Sequence, residues 1–154
     1  MSKQWQIRRG TKAENDIFTG AEGEVTMCTD TKSLRVHDGT TQGGFDIDTV
    51  VAFQLPTADN NYTWYRKYAS GWVEQGGQFT AQGGQYSVYQ VTPLPVTMAD
   101  ANYYANGIAK HSSADNTLTI SIDSTTTTTT ALGIRKHWAT TGQTIIWEVK
   151  GMAA

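Results

Sequence analysis

Histidine, cysteine and carboxylate side chains are the groups of this sequence that could support catalysis or metal binding. The three histidines, His37, His111 and His137, are far apart, and no HxH or HExxH spacing occurs. Cys28 is the only cysteine, so the chain can form neither an intrachain disulfide nor a cysteine-rich zinc site. No GxSxG nucleophile motif is present. The sequence therefore predicts no enzyme, no catalytic residue, no cofactor and no metal site within one chain.

Aromatic and hydroxyl side chains are abundant, and they favour a binding function instead. The chain has five Trp, seven Tyr and 24 Thr among 154 residues. Aromatic rings give rigid contact area at a low cost in conformational entropy. A flat ring can pack against the apolar face of a sugar, while Thr, Asn and Gln bond its hydroxyl groups. Trp64, Trp72 and Trp147 lie within strand patterns, so we expect them in the core.

The candidate binding residues lie in three segments, residues 103–113, 124–130 and 136–141, or directly before the third of them. They are Tyr103, Tyr104, His111, Ser112, Thr127, Arg135, Lys136, His137 and Trp138. Tyr103 and Tyr104 are adjacent, so a strand must turn one of the two rings outward. Arg135 and Lys136 could meet an anionic group of a ligand, or they could belong to a solvated strand face.

Charge and hydropathy exclude several partners. The net charge is −2 and the isoelectric point about 5.8, so there is no basic surface typical of nucleic-acid binding. The mean hydropathy is −0.43, and no apolar run approaches the roughly 18 residues of a membrane span. The first residues, MSKQWQIRRGTK, contain no apolar core of a secretory signal. We expect synthesis in a reducing cytoplasm, no membrane insertion and no nucleic-acid partner.

Short alternating segments separated by Gly and Asp turns predict an all-β chain. Predicted strands include Glu24–Cys28, Leu34–His37, Tyr62–Tyr68, Thr117–Ile122 and Ile145–Val149. Residues 11–18 could form one helical turn or a loop. The pair Gly76-Gly77 is expected to end the strand that starts at Trp72, with a separate strand at 78–82. Asp38-Gly39 is expected to form an Asx turn.

A change in composition divides the chain in two. Residues 56–61, PTADNN, are polar and prone to turns, and they are predicted to connect a small β-rich module at 1–55 to a domain at 62–154. The second domain has about seven to nine short strands, which indicates a β-sandwich of the jelly-roll type.

The segment IRRGTKAENDIFTGAEGEVTMCTDTKSLRVHDGTTQGGF, from Ile7 to Phe45, resembles the N-terminal domain of the major tropism determinant family of phage receptor-binding proteins. Its distinctive parts are Arg9-Gly10-Thr11, the FTGA and GEV segments and HDGT at 37–40. Residues 62–154 are similar to phage tail-fibre C-terminal domains, through SGWVEQGG at 70–77, PVTMADANY at 95–103 and WEVKG at 147–151.

These resemblances imply a tail-fibre or tail-tip protein of the virion, which binds a bacterial surface glycan or protein. The alternative is a structural adaptor that binds other phage tail proteins. A surface depolymerase is a third hypothesis, but the chain is short for the β-helix such enzymes use. The N-terminal resemblance implies that residues 1–55 serve as an attachment and trimerisation module. The family modules imply a homotrimer, and two small domains with little buried surface point the same way. Such a trimer could bring three copies of one histidine together around an axial metal.

Overall fold

The structure is a computed structural model that describes residues 6–81, 88–110, 119–137 and 143–154. It is 50% strand and 6% helix, which confirms the predicted all-β class. The chain forms two compact units. The N-terminal unit comprises residues 1–51 and 68–70, and the C-terminal unit comprises residues 52–67 and 71–154. The polar segment at 56–61 thus lies a few residues inside the second unit.

The N-terminal unit is a four-stranded sheet with one short helix. Its elements are β1 (Arg8–Gly10), α1 (Lys12–Asp16), β2 (Val25–Cys28), β3 (Leu34–Val36) and β4 (Phe45–Ile47), with the strands in the order β1-β2-β3-β4. β1 and β2 are parallel, and the other pairs are antiparallel. A capping box starts α1, because the Glu14 carboxylate accepts from the Thr11 backbone N–H at 2.7 Å while the Thr11 hydroxyl accepts from the Glu14 N–H. The segment 11–18 therefore contains the predicted helical turn.

The buried side of this small sheet is polar, and its two largest side chains, Arg35 and His37, are hydrogen-bonded. Arg35 donates to Asp16 at 2.5 Å, to Asp46 at 2.8 Å and to the Gly43 carbonyl at 2.9 Å. His37 accepts from the Gly20 N–H at its Nδ1, so the ring proton lies on Nε2, 3.0 Å from the Thr26 hydroxyl. Buried polar groups are tolerated when they are paired in this way. Cys28 is also buried here, as predicted for an inert thiol.

Asp38 closes the predicted Asx turn. Its carboxylate accepts from the backbone N–H groups of Thr40 and Thr41 at 2.9 and 2.6 Å, and from the Thr41 hydroxyl at 2.7 Å. These bonds, with the Thr41 N–H the largest contributor, hold the pKa of Asp38 well below its ordinary value. Gly39 follows at φ +82°, a conformation in which glycine carries no steric cost.

Asp38 is expected to make the N-terminal unit acid-sensitive. A lowered carboxyl pKa stabilises the fold above the unfolded-state value of about 3.9, and this contribution is lost as the pH falls through the folded pKa. Asp38→Asn should lower the melting temperature at pH 7. The variant should also show a smaller decrease in melting temperature than the parent chain as the pH is lowered below 5. Thermal melts of the variant, the parent chain and a Glu22→Gln control, which alters another exposed carboxylate of the unit, measure this. Equal acid profiles for Asp38→Asn and the parent would contradict it.

The C-terminal unit contains most of the remaining elements. They are β5 (Val50–Gln54), a 3₁₀ turn (Ala58–Asn60), β6 (Trp64–Tyr68), β7 (Trp72–Thr80), β8 (Val88–Pro93), β9 (Tyr104–Lys110), β10 (Thr119–Ile122), β11 (Ala131–His137) and β12 (Thr144–Met152). β5 starts within the N-terminal unit. One sheet has the order β5-β6-β7-β12-β9, and a second has the order β10-β11-β8. The pairs β10–β11, β11–β8, β6–β7, β7–β12 and β12–β9 are antiparallel.

The two sheets enclose an apolar core, which confirms the predicted sandwich. The core residues are Ala81, Met98, Leu132, Ile134, Ile145, Trp147 and Val149. On β12 the odd-numbered residues face inward and the even-numbered ones outward, as the pattern at 145–149 predicted. Trp147 is 2% exposed, which confirms its predicted place in the core.

Two predictions about β7 are wrong. The pair Gly76-Gly77 does not end the strand, and no separate strand begins at 78, because β7 runs through both glycines and pairs with β12 along its whole length. A Cβ atom at Gly76 would lie 2.8 Å from the Trp64 Nε1 and 2.7 Å from the Trp147 carbonyl oxygen. Glycine is required here because neighbouring groups approach the backbone closely, and not because the chain turns. Trp64 is half-buried, in register with Gly76, instead of lying fully in the core.

Candidate functional site

Of the two adjacent tyrosines, Tyr104 is the one that faces solvent. Its side chain is 59% exposed at the start of β9. The Tyr103 hydroxyl instead donates to the carbonyl oxygens of Thr128 and Ala131, at 3.0 and 3.1 Å, and burial raises its pKa to about 12. Tyr103 therefore ties the threonine-rich loop to β9, and Tyr104 is left as the candidate contact.

Thr127 and Arg135, two further predicted site residues, make contacts within the fold. The Thr127 hydroxyl donates to the Asp123 carbonyl at 2.7 Å and accepts from the Gly133 N–H at 3.1 Å, which closes the loop at 124–130. Arg135 is partly exposed and forms an ion pair with Asp123 at 3.4 Å. These contacts hold β10 and β11 together.

Lys136 is fully buried, and burial lowers its pKa. The expectation of an accessible Lys136 is therefore corrected. On β11 the side chains of Leu132, Ile134 and Lys136 alternate onto the inward face, since successive residues of a strand point to opposite sides. His137 is the last residue of this strand. His111, Ser112 and Trp138 lie outside the described residues.

Tyr104 lines a cleft on the outer face of the five-stranded sheet. We call this the aromatic cleft and define it by Trp72, Asp100, Asn102, Tyr104, Lys150 and Met152. It has a volume of about 270 Å³. β12 forms its floor, with Met152 in register with Trp72 on one side and Lys150 in register with Tyr104 on the other. The cleft thus brings together three segments that are far apart in the sequence, at residue 72, at 99–104 and at 150–152.

The predicted core position of Trp72 is wrong. Its side chain is 38% exposed, while Val73 and Gln75, the next inward positions of β7, are fully buried. Because the strand alternates, burying Val73 places Trp72 on the outer face. The sequence pattern left this open, since Trp72 and Val73 are both apolar and either could have faced the core.

The polar rim of the cleft is held in place by local bonds. The Asp100 carboxylate accepts from the Asn102 N–H at 2.6 Å, and the Ala99 N–H donates to the Met152 carbonyl at 2.9 Å. Lys150 donates to Glu148 at 3.0 Å, and this bond raises the pKa of Lys150, which keeps it charged. Asp100, Asn102, Lys150 and Met152 were missed from the sequence, where they read only as a turn and a strand. The arrangement can bind a small ligand through aromatic faces and polar groups.

A second unusual surface lies on the N-terminal sheet, and we call it the open apolar face. It consists of two cross-strand rows, Val25-Val36-Phe45 and Met27-Leu34-Ile47. The first two members of each row are only half-buried, while Phe45 is 57% and Ile47 44% exposed. The opposite side of the sheet buries Thr26, Cys28 and Arg35. Such an inverted sheet, apolar outside and polar inside, is typical of a surface that another chain covers.

Within residues 6–81, 88–110, 119–137 and 143–154, no group of three or more His, Cys, Asp or Glu side chains is placed to hold a metal ion. In the same ranges no helix is both long enough and apolar enough to span a membrane.

Comparison with known proteins supports the resemblance of the N-terminal unit. Residues 6–41 match the family model described as the major tropism determinant N-terminal domain. A tail fiber receptor-binding protein of Bordetella phage BPP-1 is 49% identical over 47 residues, which is 30% of this chain but 12% of that protein. The chain therefore spans only a small part of the length of this relative. The U1 variant of the major tropism determinant is 36% identical over 41% of this chain and 20% of its own, with a TM-score of 0.29.

Structural comparison extends to the rest of the chain. The N-truncated R1-type pyocin tail fiber matches 67% of this chain and 88% of its own, with a TM-score of 0.50 and 13% identity. Since the N-terminal unit is about a third of the chain, this match includes much of the C-terminal unit. At this identity it shows a shared fold alone. The predicted resemblance is confirmed: the N-terminal unit is similar to the major tropism determinant N-terminal domain, and the chain shares the β fold of a pyocin tail fibre.

Proposed function

We propose that this chain is a tail-fibre or tail-tip protein of a phage, located in the virion tail and made in the cytoplasm of the host. Its role is to attach the virion to the bacterial surface by binding a polysaccharide or an outer-surface protein, without catalysis. The N-terminal resemblance to tail-fibre receptor-binding proteins supports this assignment. The observation that carries it is the aromatic cleft, where Trp72 and Tyr104 expose their rings on one face of the C-terminal unit.

The proposal includes a homotrimer that assembles through the open apolar face. Six apolar side chains in two rows would lose their contact with water on assembly. Each Å² of apolar surface buried in this way stabilises the trimer by about 25 cal/mol. Three copies would also present three clefts to the same cell. Weak binding at one cleft then gains avidity, by roughly 10²–10⁴ when the geometry allows simultaneous contact.

A structural adaptor is the second candidate, and the same open apolar face supports it. In that case the face would contact another phage tail protein rather than further copies of this chain. The two candidates differ in the state of the isolated protein, because an adaptor would be a monomer until its partner is added.

Binding to intact bacteria tests the attachment role. Fluorescently labelled protein should bind saturably to cells of a susceptible strain, and Tyr104→Ala should weaken this binding by about tenfold or more, without loss of fold. The matched control is Tyr62→Asn, which removes another exposed tyrosine of the C-terminal unit; Asn tolerates the positive φ of that position. Flow cytometry over a concentration series gives the affinities. Absence of saturable binding to every susceptible strain would overturn the attachment role and favour the adaptor.

A further inference from the structure

We propose that the aromatic cleft recognises a neutral saccharide rather than an acidic one; this rests on the proposed function and specifies its ligand. The first support is the placement of the two rings. Trp72 and Tyr104 lie on the strands that flank β12, two residues apart along its axis. Standard sheet spacings place their Cα atoms roughly 12 Å apart, with Met152 and Lys150 on the strand between them. The rings thus border a narrow site with an apolar floor at one end.

The size of the cleft limits the ligand to a small group. Its volume of about 270 Å³ falls below the roughly 300–1,000 Å³ of sites for drug-sized ligands. A short stretch of sugar units fits this description, since each pyranose ring offers an apolar C–H face to an aromatic ring and hydroxyl groups at its edge. Asp100 and Asn102 line the rim, and both are residue types whose side chains can bond such hydroxyls.

The charges around the cleft disfavour an anionic ligand. Lys150 is the cation that lines it, and its ammonium group bonds Glu148 at 3.0 Å. Across the sheet, Lys150 is also in register with Glu74, which is in register with Arg66 on β6. With Asp100 at the rim, the cleft and its nearest neighbours on the sheet carry three carboxylates and two cations. A uronate or phosphate group would therefore meet a slightly negative surface, and a neutral sugar would not be repelled.

The test uses the full chain and an array of immobilised neutral oligosaccharides, printed beside counterparts that carry uronate or phosphate groups. The parent chain should bind at least one neutral member. Trp72→Ala and Tyr104→Ala should each reduce that binding by about tenfold, while Tyr62→Asn should leave it unchanged. Raising NaCl from about 0.15 M to about 0.5 M should change it by less than about twofold, because neutral contacts are not screened.

Three results would overturn this inference: binding restricted to acidic members, no binding to any neutral member, or equal binding by the parent and both cleft variants. Cell binding separates its failure from that of the proposed function. If the parent chain binds cells but no neutral saccharide, the receptor is a protein or an acidic polymer, and attachment still stands. If it binds no susceptible cells, the attachment role fails whatever the array shows.

Discussion

Replacing both Phe45 and Ile47 with Lys is expected to convert the proposed trimer to a monomer. Both side chains end the rows of the open apolar face and are exposed in the single chain, 57% and 44% respectively, so two lysines there can reach water without disturbing the monomer. In a trimer, the same positions would bury two charges per chain without partners. We expect the free-energy cost of removing these charges from water to exceed the gain from burying the four apolar side chains that remain on the face.

Mass in solution measures this effect, by light scattering coupled to gel filtration at micromolar concentration. Circular dichroism should show unchanged β structure in the double variant. The control is Ile17→Lys, which places a lysine on the same unit at a side chain that is 72% exposed and outside the two rows. We expect this control to keep the mass of the parent chain in solution. A monomeric parent chain, or a double variant that stays trimeric, would show that the open apolar face is not the trimer interface.

Trp147→Ala is expected to destabilise the C-terminal unit by about 3–5 kcal/mol, which is the usual cost of removing a large aromatic side chain from a core. Trp147 is 2% exposed and lies at the centre of β12, which pairs with both β7 and β9. Its ring packs in the same cluster as Ile134 and Val149. Removing it leaves a cavity that the two sheets could close only by moving closer together, which the side chains packed around it prevent.

Urea unfolding at a fixed protein concentration measures the loss. The matched control is Trp72→Ala, which removes the same side chain from the outer face of the same sheet. Because Trp72 is 38% exposed, we expect Trp72→Ala to lower the free energy of unfolding by only about 1 kcal/mol, which is typical of substitutions in general. If the two variants lost the same stability, the assignment of Trp147 to the core and Trp72 to the cleft would be wrong.

The sequence by itself determined the features that depend on neighbouring residues. The alternation at 145–149 predicted an amphipathic strand with Trp147 inward, and Asp38-Gly39 predicted an Asx turn; the structure has both. The similarity of the segment from Ile7 to Phe45 to the major tropism determinant N-terminal domain could also be recognised from the sequence, because it consists of an ordered string of residues. Local bonds and strand periodicity act over a few residues, so their signals survive in the sequence.

Only the tertiary structure decided which side of each strand is covered. A period of two defines two faces but not the one that packs. On β7 the side chain of Val73 is buried and that of Trp72 is exposed. On β11 the same alternation places Lys136 on the buried face, together with Ile134. In the N-terminal sheet the polar side is buried, because Arg35 finds Asp16, Asp46 and the Gly43 carbonyl there. The cleft arises from three distant segments, and only sheet pairing brings them together.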